Sequence, residues 1–278
     1  MSAQDAPPRA DALVLAGSRG PEDAVAAAAG VSCKALAPVA GKPMLQRVLD
    51  ALTESGCVRR ITVALAPEVP VAGEVPALAR AFDAGCIARM DPAGSPCRTV
   101  QAAFAARDPQ RPLLVATGDH PLLTGEMVRA FATGSRLSRA DVTAAVTPVH
   151  LVDAAFPGVR RTALRFRDGG YSGCNLFALT TPRAEAVLAF WQTLENDRKR
   201  PWRMAAHIGT GTLFAYAARR LTLDGGVARL GARVGAELAA IRLNWPAAAR
   251  DVDTPGDLEL AEAVLRGNEG KMRSGWVT

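Results

Sequence analysis

Along this chain, short runs of consecutive apolar residues alternate with longer stretches in which apolar positions recur every three or four. Ala12 to Ala16 is the first such run, and Gly17-Ser18-Arg19-Gly20 closes it, which predicts a buried strand ending in a tight loop. The Ala-rich stretch from Asp23 to Gly30 predicts a helical turn or a flap, and Lys34 to Pro43, broken by Pro38, Gly41 and Pro43, predicts a loop. Leu45, Val48, Leu49 and Leu52 then keep helical spacing from Met44 until Ser55-Gly56 ends it. A strand over Ile61 to Ala66, a helix over Pro76 to Ala84, a loop from Asp91 to Cys97 and a helix over Arg98 to Ala106 follow. Leu113 to Thr117 is the most hydrophobic strand and runs into Gly118-Asp119-His120-Pro121. A helix from Thr124 to Thr133 and a strand from Asp141 to Thr147 complete this half. Strands alternating with helices predict βαβ units and a mostly parallel sheet with helices on both faces. Ligands of such sheets bind beyond the carboxyl ends of the strands, where the loops after Ala16 and Thr117 lie.

The second half is less regular. Thr162 to Phe166 and Asn175 to Leu179 predict strands joined by a glycine-rich bend, Asp168 to Gly173. Helices are expected over Arg183 to Glu195 and Trp202 to Arg219, with a basic link, Arg198 to Arg203, between them. A strand around Ala239 to Leu243 leads to Asp251-Val252-Asp253-Thr254-Pro255, where Thr254 is placed as N-cap and Pro255 as first residue of the last helix. There is no internal repeat and no low-complexity linker.

Composition narrows the class. With 278 residues, 49% apolar and 22% charged, the chain can bury a sizeable core and is not a disordered protein. It is expected to be one domain, with residues 1–10 a disordered leader and 181–244 a helical insertion on the acceptor side. No apolar run approaches the ~20 residues a transmembrane helix needs, and the first ten residues lack the apolar core of a secretory signal, so a cytoplasmic location is expected. The cysteines at 33, 57, 86, 97 and 174 form no C-x-x-C pair and read as free thiols in a reducing compartment. The histidines at 120, 150 and 207 are too scattered for a metal cluster. The net charge of +6 is spread along the chain and only 5% of residues are aromatic, which argues against nucleic acid. Only Lys34, Lys42, Lys199 and Lys271 among 33 basic residues are lysines, so the two near the N-terminus stand out. A compact, mobile ammonium suits phosphate chemistry.

Three groups of residues carry candidate chemistry. The small-residue turn at Gly17 lets backbone N–H groups approach a polyphosphate, and Arg19 and Lys34 can neutralise it. The chain has neither G-x-x-x-x-G-K-[ST] nor G-x-G-x-x-G, which excludes a P-loop and a dinucleotide fingerprint. Asp119 follows the most buried strand, where a hard divalent ion bridged to phosphate oxygens is its natural partner, and Thr124 is better placed to cap the next helix. Asp251 and Asp253, two apart, either share a metal or serve the start of the last helix.

Taken together, these residues resemble a known family. Leu15-Ala16-Gly17-Ser18-Arg19, Lys34-Ala35-Leu36 and Gly41-Lys42-Pro43-Met44-Leu45 resemble the N-terminal signature of MobA-like nucleotidyltransferases. Gly118-Asp119-His120-Pro121, Gly173-Cys174-Asn175 and Asp251-Val252-Asp253-Thr254-Pro255 resemble the family's metal-binding strand end, acceptor element and C-terminal motif, in the same order. The resemblance implies a Rossmann-like GT-A fold and transfer of a nucleoside monophosphate from an NTP, GTP favoured over CTP, to a phosphorylated small-molecule or lipid-linked acceptor. Pyrophosphate is released. By position, Leu15, Ala16, Gly17, Ser18, Arg19, Lys34, Gly118 and Asp119 would bind the nucleotide, with Gly94, Ser95 and Thr99 as the loop that touches the base. Lys34, Arg19 and Asp119 would act in catalysis, Asp119 and Asp253 would bind Mg2+, and Gly173 and Asn175 would meet the acceptor. Lys42 would close its loop. Two departures stand out: Ser18 occupies a position where the family more often has glycine, and 14 residues separate Arg19 from Lys34. The long 181–244 segment would build a private acceptor pocket, and its basic cluster at 198–203 either grips an anionic or lipid-linked acceptor or is a solvated turn. Peripheral contact with a membrane is left open. A GT-A glycosyltransferase using a D-x-D metal motif and a non-catalytic nucleotide sensor are the competing readings.

Overall fold

The computed structural model describes residues 9–17, 22–159, 162–197 and 200–274. Its centre is an eight-stranded sheet. Strand β1 (Ala10–Leu15) lies between β4 (Val58–Ala64) and β6 (Leu113–Thr117), parallel to both, and β5 (Ala88–Met90) extends the sheet beyond β4. Beyond β6 comes the long β9 (Gly169–Leu179), antiparallel to both β6 and β7 (Val142–Pro148), and β10 (Leu238–Arg242) runs parallel to β7 at the edge. A short β8 (Leu164–Phe166) pairs with the start of β9. A separate two-residue ladder joins β2 (Pro38–Val39) and β3 (Lys42–Pro43). The mostly parallel sheet expected from the alternation, and the Rossmann-like arrangement implied by the resemblance, are therefore observed, with β9 the reversed strand.

Both faces are covered, which is why β1 and β6 read as unbroken apolar runs instead of alternating ones. Ala12 and Val14 of β1, with Leu114 and Ala116 of β6, pack toward α2 (Met44–Glu54) and α6 (Gly125–Ser138), whose Leu45, Leu49, Val128 and Phe131 are buried. Leu13, Leu113 and Val115 point the other way, onto Val100 and Phe104 of α5 (Pro96–Ala106) and Leu188 of α8 (Ala184–Asn196). Thr124 caps α6 by accepting from the Met127 N–H at 3.3 Å. A third, smaller cluster joins Val25 of α1 (Ala24–Ala29) to Val252 and to Ala261 of α12 (Pro255–Ser274), tying the chain's end to its beginning.

Of the two forms expected for the Ala-rich stretch the helical one is observed, as α1, capped by Asp23, which accepts from the N–H groups of Val25 and Ala26. Several other elements differ from expectation. Ala10 already belongs to β1, while residues 1–8 of the expected leader lie outside the described residues. The glycine-rich stretch before Asn175 is not a bend but the first half of β9, paired with β8 on one side and β7 on the other. The helix expected over 202–219 is two, α9 (Pro201–Ile208) and α10 (Thr210–Ala217), because Gly209 takes φ +98° between them. Helices α3 (Val71–Glu74), α4 (Pro76–Asp83), α7 (Val149–Ala155) and α11 (Leu223–Val234) complete the set, and the 181–244 segment holds α8 to α11 and β10. Among the described residues, no helix is long and apolar enough to cross a membrane.

Candidate functional site

The carboxyl ends of β1, β4 and β6 meet at one edge, as parallel pairing requires, and the loops leaving them bring together residues far apart in sequence. After β6, Gly118 donates its N–H to the Leu15 carbonyl at 2.9 Å, extending the ladder by one residue. A Cβ at Gly118 would lie 3.2 Å from the Ala35 Cβ and 3.4 Å from the Ala16 Cβ. The absence of a side chain there lets the turn that carries Lys34 sit directly on the strand end. That turn, a 3-10 helix over Lys34–Leu36, is held by buried Ala35 and Leu36, and the thiol of buried Cys33 points to the Ala16 carbonyl at 3.5 Å.

This packing delivers the Lys34 ammonium to two carboxylates, at 2.5 Å from Asp119 Oδ2 and 3.1 Å from Asp253 Oδ1. Asp253 arrives from the opposite end of the chain because the Val252 N–H donates to the Asp119 carbonyl at 2.9 Å. Asp253 does not cap α12. Thr254 and Asp257 do so reciprocally, each accepting from the other's backbone N–H, at 3.2 and 3.0 Å, and Arg250 clamps Asp257 at 2.9 Å. Asp253 is thereby left for Lys34 and, with 53% of its side chain exposed, for a ligand. Burial pulls the Lys34 ammonium down, but Asp119 and Asp253 more than offset it, and the net shift is upward, so Lys34 is a permanent cation.

Asp119 carries an unmet demand. Its Oδ1 is buried and has no hydrogen-bond partner among the described residues. A buried carboxylate oxygen with nothing to accept from is costly, and a cation at that point removes the cost. Two carboxylates around one point of positive charge, one of them half-exposed, are the donor set magnesium uses when phosphate oxygens and water complete its octahedron. Among the described residues there is no group of three or more His, Cys, Asp or Glu that would hold a metal alone. The residues fit a magnesium ion that arrives with a nucleotide.

Asp251 takes a different partner. Asn175 Nδ2 donates to Asp251 Oδ2 at 2.7 Å. Asn175 sits where β9 shifts register against β7, at φ +50°, a conformation asparagine tolerates better than most side chains. Its amide positions the 251–253 segment, while exposed Gly173, two residues earlier, has open space before it. Asp251 thus meets Asn175, whereas Asp253 meets Lys34.

Beside this cluster a cavity of about 350 Å³ opens between the ends of β1, β4 and β5, lined by Ala16, Gly17, Ser32, Ala66, Glu68, Val69 and Pro92. Its size suits a nucleoside. Gly17 is exposed, with no atom of the described residues within 4 Å of where its Cβ would be. The Ser32 N–H is held by both Glu74 carboxylate oxygens, at 3.1 and 3.2 Å, fixing one wall to α3. Ser32, Glu68 and Pro92 were invisible to sequence reasoning, since no motif marks them. Residues 94–99, expected as a loop, hold instead the entry and first turn of α5. Ser95 caps α5 by accepting from the Arg98 N–H, Gly94 takes φ +80°, and the buried Thr99 hydroxyl accepts from the Ala93 N–H at 2.9 Å and donates to the Ser95 carbonyl at 2.8 Å. Thr99 thus shapes the loop from within, as buried Gly118 shapes the strand end. Lys42 pairs with Asp50 on α2, away from the cluster. Ser18 and Arg19 lie outside the described residues.

The model of the MobA-like NTP transferase domain matches residues 12–224 of this chain. A hypothetical transferase from Thermus thermophilus has a similar structure, with TM-score 0.73 and 31% identity over 90% of this chain and 100% of that one. Two more distant structures share the fold. A 4-diphosphocytidyl-2C-methyl-D-erythritol synthase from Anaerococcus prevotii has TM-score 0.55 and 13% identity, covering 93% of this chain and 98% of that one. A CMP:2-keto-3-deoxy-manno-octonic acid synthetase complexed with CTP has TM-score 0.56 and 16% identity, covering 94% and 100%. With most of its length inside that domain and the Lys34–Asp119–Asp253 cluster at the sheet edge where the signature residues converge, this chain belongs to the MobA-like NTP transferase family.

Proposed function

We propose that this nucleotidyltransferase moves a nucleoside monophosphate from an NTP to a phosphorylated acceptor and releases pyrophosphate, with Mg2+ held by Asp119 and Asp253. The observation that carries the reading is the Lys34 ammonium set between those two carboxylates, beside a nucleoside-sized cavity that begins at Gly17. Bound there, magnesium would neutralise charge on the triphosphate. The chain's own residues do the rest. Gly17 lets the triphosphate approach the backbone, and the family resemblance assigns Ser18 and Arg19 to the same phosphates. Lys34 supplies a cation to the charge that develops as the bond to pyrophosphate breaks. The acceptor phosphate is ionised near neutral pH and is itself the nucleophile, so no general base is required. Placement in line and relief from repulsion are what the site must provide. The open side at Gly173, with Asn175 fixing the segment below, is where the acceptor would lie.

For the base, guanine is the first choice and cytosine the second. Glu68 on the cavity wall supports this order, because a carboxylate can accept from both the N1–H and the N2 amino group of guanine, whereas cytosine offers one amino group. A D-x-D glycosyltransferase is less well supported, since Asp251 and Asp253 turn to different partners. Magnesium-dependent pyrophosphate release, measured with each of the four NTPs and a pool of phosphorylated metabolites, tests the reading. Release with GTP that is lost in Asp119→Ala supports it, and hydrolysis of UDP-sugars with no response to any NTP refutes it. The base assignment has its own check. Glu68→Gln should lower kcat/KM for GTP relative to CTP by about tenfold, one hydrogen bond to a charged group being worth roughly 1.5–3 kcal/mol. An unchanged ratio removes Glu68 from base recognition.

A further inference from the structure

We propose that the helical pair α9–α10, with the β8 strand beside it, is a docking surface for an anionic lipid bilayer. Helix α10 (sequence TGTLFAYA) has no charged side chain, and none of its residues is buried. An apolar helix of a globular protein normally hides one face, and this one leaves Phe214 72% exposed. The helix is nonetheless anchored. Tyr216 packs edge-on against Phe166 of β8 with ring centres 5.4 Å apart, and its hydroxyl accepts from the Arg165 N–H at 3.1 Å. Phe214, two positions earlier, therefore projects from a different face than Tyr216. Leu164, which shares a side of β8 with Phe166, is 55% exposed as well.

Charge selects the occupant. Exposed Arg200 precedes α9, and exposed Arg219 and Arg220 follow α10 directly. Residues 160–244 contain 14 Lys and Arg against 6 Asp and Glu, a net +8 in a chain whose total is +6. The whole positive excess of the protein thus belongs to the segment that carries the half-covered apolar helix. Apolar side chains inside a rim of arginines are what an interfacial helix needs on a surface of anionic headgroups. A second copy of this chain would set +8 against +8, and like-charge juxtaposition disfavours that pairing. A nucleic acid would use the arginines but leave Leu164 and Phe214 without a role. The site's orientation is consistent with a membrane too, because the β8–β9 hairpin projects beyond the end of β7, at the sheet edge that holds Asp119.

The test is flotation of the full-length protein with vesicles of phosphatidylcholine alone and of phosphatidylcholine with phosphatidylglycerol, at low and high salt. No nucleotide is present, so the result does not depend on the transfer reaction. The expected result is retention on the phosphatidylglycerol vesicles only, weakened by salt. Phe214→Glu and the double exchange Arg219→Glu/Arg220→Glu should each lower it about tenfold or more. All these positions are exposed, and circular dichroism verifies that both variants fold. Four results overturn the proposal: no retention on anionic vesicles, equal retention on neutral ones, wild-type retention of Phe214→Glu, or tighter binding to a single-stranded oligonucleotide than to vesicles.

Discussion

Exchanging Asp119 for asparagine keeps the side chain's shape and removes one charge, so it separates what this carboxylate does for the fold from what it does for the reaction. In the native protein the carboxylate lies 2.5 Å from Lys34, and the two side chains are 17% and 14% exposed. Breaking such a pair costs about 3–5 kcal/mol when the surviving charge is left alone. Here Lys34 is not left alone, because Asp253 stays at 3.1 Å. The exchange also puts a neutral amide atom where the buried, unpartnered carboxylate oxygen was, and a neutral group costs less to bury than a charged one. The opposing effects nearly cancel, so stability should change by no more than about 1–2 kcal/mol, a shift of a few degrees in Tm. Activity should fall far more. With one of the two carboxylates proposed to hold the metal gone, a loss of about 10²–10³-fold in kcat/KM is expected, equivalent to roughly 3–4 kcal/mol of transition-state stabilisation. Thermal unfolding and pyrophosphate release on the same preparation read the two quantities side by side. If Asp119→Asn unfolds many degrees lower and loses activity only in proportion, the carboxylate is structural. Near-native turnover removes it from the site.

Four further expectations follow from the structure. Lys34→Ala should reduce turnover by orders of magnitude, whereas Lys42→Ala, which loses an exposed pair with Asp50, should leave both turnover and stability within about 0.5 kcal/mol of wild type; the reverse order would show that the loop is misassigned. Burial raises the thiol pKa of Cys33, and pushes that of Cys97 up to about 11, so in a thiol-labelling titration at neutral pH exposed Cys86 should react first and these two only on unfolding. Both thiols are held protonated by the fold, so their contribution to stability is full below their ordinary pKa near 9 and declines as pH rises above it, for Cys97 toward about 11, which urea melts would detect and a flat profile would contradict. Gly231→Ala would place a Cβ 2.6 Å from the Ala236 carbonyl oxygen and should destabilise by about 1–3 kcal/mol in urea, since backbone must move; an unchanged midpoint would mean that α11 is packed differently.

The sheet's centre was legible because β1, β4 and β6 are covered on both faces and their sequences show it. Edge strand β5 was not, since Ala88-Arg89-Met90 is three residues long and mostly exposed. Helix α11 was hidden by Gly225, Gly226 and Gly231, which interrupt its apolar spacing, although its ends were signed by Thr222, which caps it, and by Gly235 at φ +74°. In the site, Lys34, Asp119 and Asp253 could be named individually because each follows a strand or precedes a helix in a recognisable motif. Their convergence on one nitrogen depends on the Val252–Asp119 backbone bond and on the close fit at Gly118, which are tertiary facts. The Asn175–Asp251 contact spans 76 residues and a register shift, and nothing local foretells it. The cavity wall was invisible for a similar reason, as Ser32, Glu68 and Pro92 come from three separate crossovers and none belongs to a motif.

The most direct measurement of the central claim follows the nucleotide itself. GTP labelled at its α-phosphate is incubated with magnesium and a fractionated pool of phosphorylated metabolites, and the products are resolved by mass spectrometry. The account predicts one fraction in which the label moves to a product heavier than its acceptor by one nucleoside monophosphate unit, with an equal amount of pyrophosphate, and no such product with Asp119→Asn. Label recovered only as free GMP or GDP, or an adduct that forms equally well with the variant, would contradict it.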